Sequence, residues 1–226
     1  MEKDFFNFVI YPTAKEYRKT NIINKIAWIP KLNIKNNSSS NNVKEQFIND
    51  AIINYNNEVI MAKTFYANMI KYRKYFENRK NKEYDFWARK YAEQTIKELF
   101  SIYDKSYHII NYLYDFRVTQ DIKFKTKIKE YLEKADPPFY KKINTIFNKL
   151  FGNKLKNGIR DDITHNFSSL FLKYNPIYTG YHLTGWEEIK AISYDDYKNI
   201  IDIICELLAE QRSLIINKIA EIYHCK

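Results

Sequence analysis

Residues 43–79 read VKEQFINDAIINYNNEVIMAKTFYANMIKYRKYFENR, and the spacing of their apolar side chains decides the fold. Phe47, Ala51, Tyr55, Val59, Ala62, Tyr66, Met69, Ile70 and Phe76 recur at three- and four-residue steps, the interval at which side chains return to one face of an α-helix. Neither glycine nor proline interrupts the run. The spacing predicts a long helix ending near Arg79. A second stripe through Trp87, Tyr91, Leu99, Ile102, Ile109, Ile110 and Leu113 predicts another, from about Tyr84 to Phe116. Two long helices joined by a short polar turn pack antiparallel. The expected class is therefore all-α, an up-and-down helical bundle built on this pair.

Downstream, shorter helices are expected around Ile122 to Glu133 and Phe139 to Phe151, stopped by Asp136-Pro137-Pro138 and by Gly152. A further helix follows from about Gly158 to Lys173. Residues 174–190, which hold Pro176, Gly180 and Gly185, read as a loop. The last helix opens at the box-like Ser193-Tyr194-Asp195-Asp196. It continues through Ile200, Ile201, Ile204, Leu207, Leu208, Leu214, Ile215 and Ile219. Helix 158–173 and this long helix form the expected C-terminal pair. Upstream, Pro12, Pro30 and the polar string from Asn36 to Asn42 make residues 1–42 an irregular N-terminal arm and loop, with Trp28 and Ile29 pinning the arm to the core. Residues 43–226 form one helical domain.

Composition agrees with helices: the 226 residues include only 4 Gly and 5 Pro. The 37 basic side chains outnumber the 27 acidic ones, for a net charge of +10. Such a surplus attracts polyanions, although a lysine-rich surface that keeps a protein soluble accounts for it equally well. Cys205 falls within an apolar helical pattern and Cys225 is next to last, so neither a disulfide framework nor a zinc-ligand spacing is available. Glycine-rich phosphate loops and nucleophile elbows are absent from the sequence, and no metal or other cofactor is expected. The acidic residues near Met1 do not suit a signal peptide, and no apolar run approaches membrane-spanning length. A cytoplasmic protein without membrane contact is the expectation.

One stretch carries the residue types of catalysis: Gly158-Ile159-Arg160-Asp161-Asp162-Ile163-Thr164-His165-Asn166. Ile159, Ile163, Phe167 and Leu170 share an arc of the expected helix and define its core face. His165 falls on the other side, with Asp161 one turn before it, close enough to bond the imidazole and favour its charged form. Arg160 stands in the first turn, where free backbone N–H groups and the helix dipole suit a phosphate. A histidine moves protons near neutral pH and an arginine stabilises a developing phosphorane, so the pair can cleave a phosphodiester without metal. The structural alternative is a surface histidine and a helix-start ion pair between Arg160 and Asp161 or Asp162. Elsewhere, His108 reads as a core or boundary histidine, His182 lies in the 174–190 loop, and His224 is terminal. Tyr72-Arg73-Lys74-Tyr75 mixes stacking and phosphate-binding types, a mixture also usual on an ordinary helix surface.

Arg160 and His165, with a polar residue directly after the arginine and an apolar helix after the histidine, resemble the Arg-x4-His motif of the HEPN superfamily, the higher eukaryotes and prokaryotes nucleotide-binding domains. The resemblance covers residues 43 to 223 loosely. It implies a metal-independent endoribonuclease of toxin or antiphage-defence type, acting at a site assembled by two motif helices. With one motif per chain, it further implies a homodimer. Under that reading the catalytic residues are Arg160, His165 and Asp161. Thr164 and Asn166 bind substrate, RNA is the partner, and an antitoxin or defence-system protein is a candidate regulator. A toxin subgroup extends the motif with a tyrosine two residues after the histidine, the target of silencing by AMP transfer. Phe167 stands there in this chain. The alternative is a non-catalytic HEPN-like module that dimerises or binds nucleotide, nucleic acid or protein.

Overall fold

The structure is a computed structural model that describes residues 12–33, 40–151, 174–179, 182–188 and 193–223. Two long helices dominate it, α3 (Ser40–Arg79) and α4 (Lys82–Leu113). Before them come the short helices α1 (Ala14–Arg18) and α2 (Asn21–Asn24). After them come α5 (Phe124–Ala135), α6 (Pro137–Phe151), the strands β1 (Tyr174–Thr179) and β2 (His182–Glu188), and α7 (Tyr194–Tyr223). Apart from this one hairpin, the regular elements among the described residues are helical. The all-α class inferred from periodicity holds.

Contacts between α3 and α4 step backward along one helix as they step forward along the other, from Phe47–Tyr112 through Phe65–Tyr91 to Tyr72–Tyr84 and Arg73–Asp85. The pair is thus antiparallel, as expected of helices joined by only two residues. Asn81 caps α4, its side chain accepting from the Glu83 N–H at 2.9 Å. Lys80, with φ of 54°, takes the left-handed conformation that ends α3. Helix α7 packs on α4 and α6, and α5 on α4 and α6. The core is formed by Ile52, Tyr55, Ala62, Met69, Ile96, Leu99, Ile110, Ile143, Ile146, Ile204 and Ile215, all at most 1% exposed. Burying each large aliphatic among them contributes about 1.5–3 kcal/mol.

Polar anchors fix the ends. Asp136 separates α5 from α6. Its carboxylate accepts from the Phe139 N–H at 3.1 Å and the Tyr114 hydroxyl at 2.7 Å, and pairs with Lys218 of α7 at 2.8 Å. One side chain thereby ties three helices together. The expected box at the start of α7 is present: the Asp196 N–H donates to Ser193 Oγ, and the Ser193 N–H donates to Asp196 Oδ2, both at 3.1 Å.

Four readings need correction. The N-terminal arm is not wholly irregular. Thr13 and Glu16 bond reciprocally, a capping box that starts α1. Ile29 is buried as expected, but Trp28 is 63% exposed, and its φ of 56° turns the chain so that Ile29 rather than the indole faces inward. Phe47 and Trp87, placed in the core stripe by periodicity, are 49% and 36% exposed because they stand toward opposite ends of the helix pair, beyond the overlying elements. Finally, Tyr174–Thr179 and His182–Glu188 are paired antiparallel strands rather than loop, with Tyr174 opposite Glu188 and Thr179 opposite His182. Their register shifts between Ile177 and Tyr178, an irregularity of the kind that accommodates Gly185 in a strand.

One acidic pair at the α3–α4 interface is sensitive to pH. Glu98 hydrogen-bonds Glu58, and burial, followed by that bond and the neighbouring carboxylate's charge, pushes its carboxyl up from 4.5 to about 7. A folded-state value above the unfolded one favours folding fully below about pH 4.5, and that contribution is lost as pH rises through 7. Glu98→Gln, which keeps the protonated form's hydrogen bonding, is expected to raise Tm by a few degrees at pH 8 and to have little effect at pH 4.5. Equal shifts at the two pH values would remove the shared proton from the account of this interface.

Candidate functional site

Arg160, Asp161, Thr164, His165 and Asn166 lie outside the described residues, as does the expected helix 158–173. What the fold establishes is where their segment is attached. Before it, Phe151 at the end of α6 packs its ring on Phe100 and Tyr103 of α4, with centroids 5.6 and 5.3 Å apart. After it, Tyr197 in the first turns of α7 is fully buried and donates its hydroxyl to Glu93 of α4 at 3.1 Å. Both attachments fall on residues 93–103 of α4, a length of about 15 Å at helical rise. The chain between Phe151 and Tyr197 therefore leaves from and returns to one stretch of the central helix.

That stretch holds the polar groups that sequence reading missed. Glu93 is 1% exposed, an ionisable side chain in a position where such groups occur almost only with partners. Lys90 contacts its other oxygen at 3.2 Å, so the carboxylate lies between an ammonium one turn earlier and the Tyr197 hydroxyl from α7. Further along, the buried Gln211 of α7 donates to Ser106 Oγ at 2.7 Å, and Ser106 donates to the Tyr103 carbonyl at 2.6 Å. Tyr103 and Tyr107 share a hydroxyl–hydroxyl bond of 2.8 Å. The sequence signal was a carboxylate inside the apolar stripe of α4, between Ala92 and Ile96.

Other candidate groups resolve plainly. His108 is a boundary residue whose ring lies tilted against Phe124 with centroids 4.6 Å apart, and burial, with Lys105 nearby, lowers its pKa. Such a histidine is neutral at pH 7. His182 belongs to β2, and His224 lies outside the described residues. Cys205 is fully buried, and burial pushes its thiol well up, so it is inert toward thiolate chemistry. Among the described residues no group of three or more His, Cys, Asp or Glu side chains is arranged to hold a metal ion. Among the same residues no helix is long and apolar enough to cross a membrane.

A helical bundle with this order of elements and one Arg-x4-His segment before its last long helix defines a class of small helical domains. The family model described as Cthe2314-like HEPN matches residues 45–220, and the chain belongs to the HEPN superfamily. The matched span runs from the first turns of α3 into the last turns of α7 and includes Arg160 and His165. HEPN domains as a class are nucleases or nucleotide-binding modules. No curated protein and no solved structure matches the chain.

The Glu93–Tyr197 bond is the joint through which α7 meets α4 directly after the motif segment. Tyr197→Phe removes one donor from a buried carboxylate and is expected to lower stability by about 1–3 kcal/mol. The measurement is the urea midpoint at constant m-value. An unchanged midpoint would show that this bond contributes nothing to holding α7.

Proposed function

We propose that the chain is a metal-independent endoribonuclease whose catalytic groups are Arg160 and His165. The carrying observation is the HEPN match over 45–220 together with an Arg-x4-His spacing inside it. HEPN domains commonly bind RNA and dimerise, and the net charge of +10 supports attraction to a polyanion. The ribose 2′-oxygen attacks the adjacent phosphorus, the bond to the 5′-oxygen of the next nucleotide breaks, and the products are a 2′,3′-cyclic phosphate and a 5′-hydroxyl. His165 takes the 2′-hydroxyl proton or supplies a proton to the leaving oxygen. Arg160 holds the scissile phosphate and offsets the charge that builds on it.

Asp161 orients His165, and Thr164 and Asn166 bond phosphate or ribose. One copy of the motif supplies half of a site. A homodimer completes it, with the mate's His165 performing the complementary proton transfer. A toxin or antiphage-defence setting with a protein regulator fits this chemistry. The phenylalanine at 167 lacks the hydroxyl that AMP transfer to a tyrosine at this position would need.

The test is cleavage of single-stranded RNA in EDTA by the full chain. Wild type is expected to release cyclic-phosphate ends, whereas His165→Ala and Arg160→Ala each lose about 100-fold or more in rate. Undiminished cleavage by His165→Ala, or cleavage that appears only with added metal, would defeat the mechanism. RNA binding without cleavage by wild type would favour the non-catalytic module.

A further inference from the structure

The α3–α4 turn gathers charge unevenly. From Tyr72 to Tyr91 the chain carries seven basic and three acidic side chains, and two of those acids are engaged locally. Arg73 pairs with Glu77 at 3.1 Å and with Asp85 at 3.4 Å, and Asp85 also receives Arg89 at 2.9 Å. Arg73 is held further in by rings, its guanidinium 5.2 Å from Phe76 and 4.7 Å from Tyr194 of α7. The inner cations thus neutralise the inner acids. Lys74, Arg79, Lys80 and Lys82 remain on the outside, all exposed.

Aromatic rings interleave with these outer cations. Arg79 stands 5.6 Å from the Tyr75 ring and donates to the Tyr84 hydroxyl at 3.1 Å. A guanidinium fixed this way keeps its other N–H groups available to an anion at little entropic cost. Lys80 lies 5.8 Å from the Phe76 ring. Trp87, 36% exposed, is braced at its back by Tyr72, Phe86 and Tyr91. It offers one rigid aromatic surface on the same helical hairpin as the four cations.

We infer that the tip of the α3–α4 hairpin binds single-stranded RNA, with Lys74, Arg79, Lys80 and Lys82 on the phosphates and a base stacked on Trp87. Exposed cations in excess of acids match a phosphate backbone, and braced exposed rings match unstacked bases. A duplex would use the cations but not the rings, because its bases are already stacked. The choice of RNA as partner rests on the cleavage reading above. The tip adds to that reading a strand-binding surface built from residues other than the motif.

The experiment measures anisotropy of a labelled oligouridylate on the full chain carrying His165→Ala, so that no cleavage intervenes, across a salt series. Replacing Lys74, Lys80 and Lys82 together by Gln touches only exposed side chains. It is expected to weaken binding at low salt and to reduce the slope of log affinity against log salt by about 2. Trp87→Ala is expected to weaken binding by about fivefold or more while leaving the slope unchanged. Circular dichroism melts confirm that both variants fold. A triple variant with unchanged affinity and slope would overturn the inference. So would failure of the unsubstituted tip to bind oligouridylate, the result expected if the surface serves an acidic protein instead. Tip-dependent binding by a chain whose wild type cuts no RNA would uphold this inference and defeat the cleavage reading alone.

Discussion

Helix α4 is packed against α3, α5 and α7, and that enclosure is the constraint on which the rest of the bundle depends. A helix surrounded on several sides can keep polar side chains only where its neighbours supply partners, because an unpaired buried group costs about 1–3 kcal/mol. Helices α3 and α7 and the connection leading to α5 do so. Tyr197 and Gln211 of α7 meet Glu93 and Ser106, and Glu58 of α3 meets Glu98. Asn111 binds both the N–H and the carbonyl of Val118 at 3.1 and 3.3 Å, turning the chain toward α5. These bonds select the rotation of each helix about α4, a matter on which apolar packing alone is permissive.

The same logic attaches the N-terminal segment to α3. Asn49 bonds the N–H and carbonyl of Leu32 at 2.7 and 3.1 Å, and Asn56 does so for Ile29 at 3.0 Å each. The two asparagines are two helical turns apart and therefore on one face. They act as peptide groups toward a segment that lacks a strand partner, which is how its buried backbone is satisfied. Ile26 and Ile29 then sit in the core, so residues upstream of the matched span are part of the packed structure.

The long helices were legible because their apolar side chains repeat at the helical period over many turns, and the Ser193–Asp196 box was legible because capping is a local code. Burial at helix ends was not, since a stripe says which face is apolar but not how far the neighbouring elements extend. Phe47 and Trp87 continue the stripe past that cover. The hairpin was obscured by Pro176, Gly180 and Gly185, residues that ordinarily signal loops. Yet Tyr-Asn-Pro-Ile-Tyr-Thr and His-Leu-Thr-Gly-Trp-Glu-Glu supply aromatic and β-branched residues around a two-residue connection containing glycine, a pattern that also reads as a hairpin. Of the site, the sequence offered the motif residues. Glu93 shows in it only as a carboxylate within the apolar stripe of α4, and its partner Tyr197 could not be read from it, because Tyr197 lies 104 residues away and only the fold brings it near.

The attachment of the motif segment at both ends to residues 93–103 of α4 affects how substitutions there should be interpreted. A change at Phe151 or Tyr197 alters an anchor, whereas under the proposed mechanism a change at Arg160 or His165 alters the chemistry, and both would reduce turnover. They differ in stability. Substituting an exposed polar side chain generally costs little in folding, usually within about 0.5 kcal/mol, while removal of a buried aromatic costs about 3–5 kcal/mol. Activity lost with stability retained therefore marks a reacting group, and activity lost in step with stability marks an anchor. The same comparison separates the exposed outer cations of the α3–α4 turn from the inner Arg73, whose ion pairs with Glu77 and Asp85 give it a structural role.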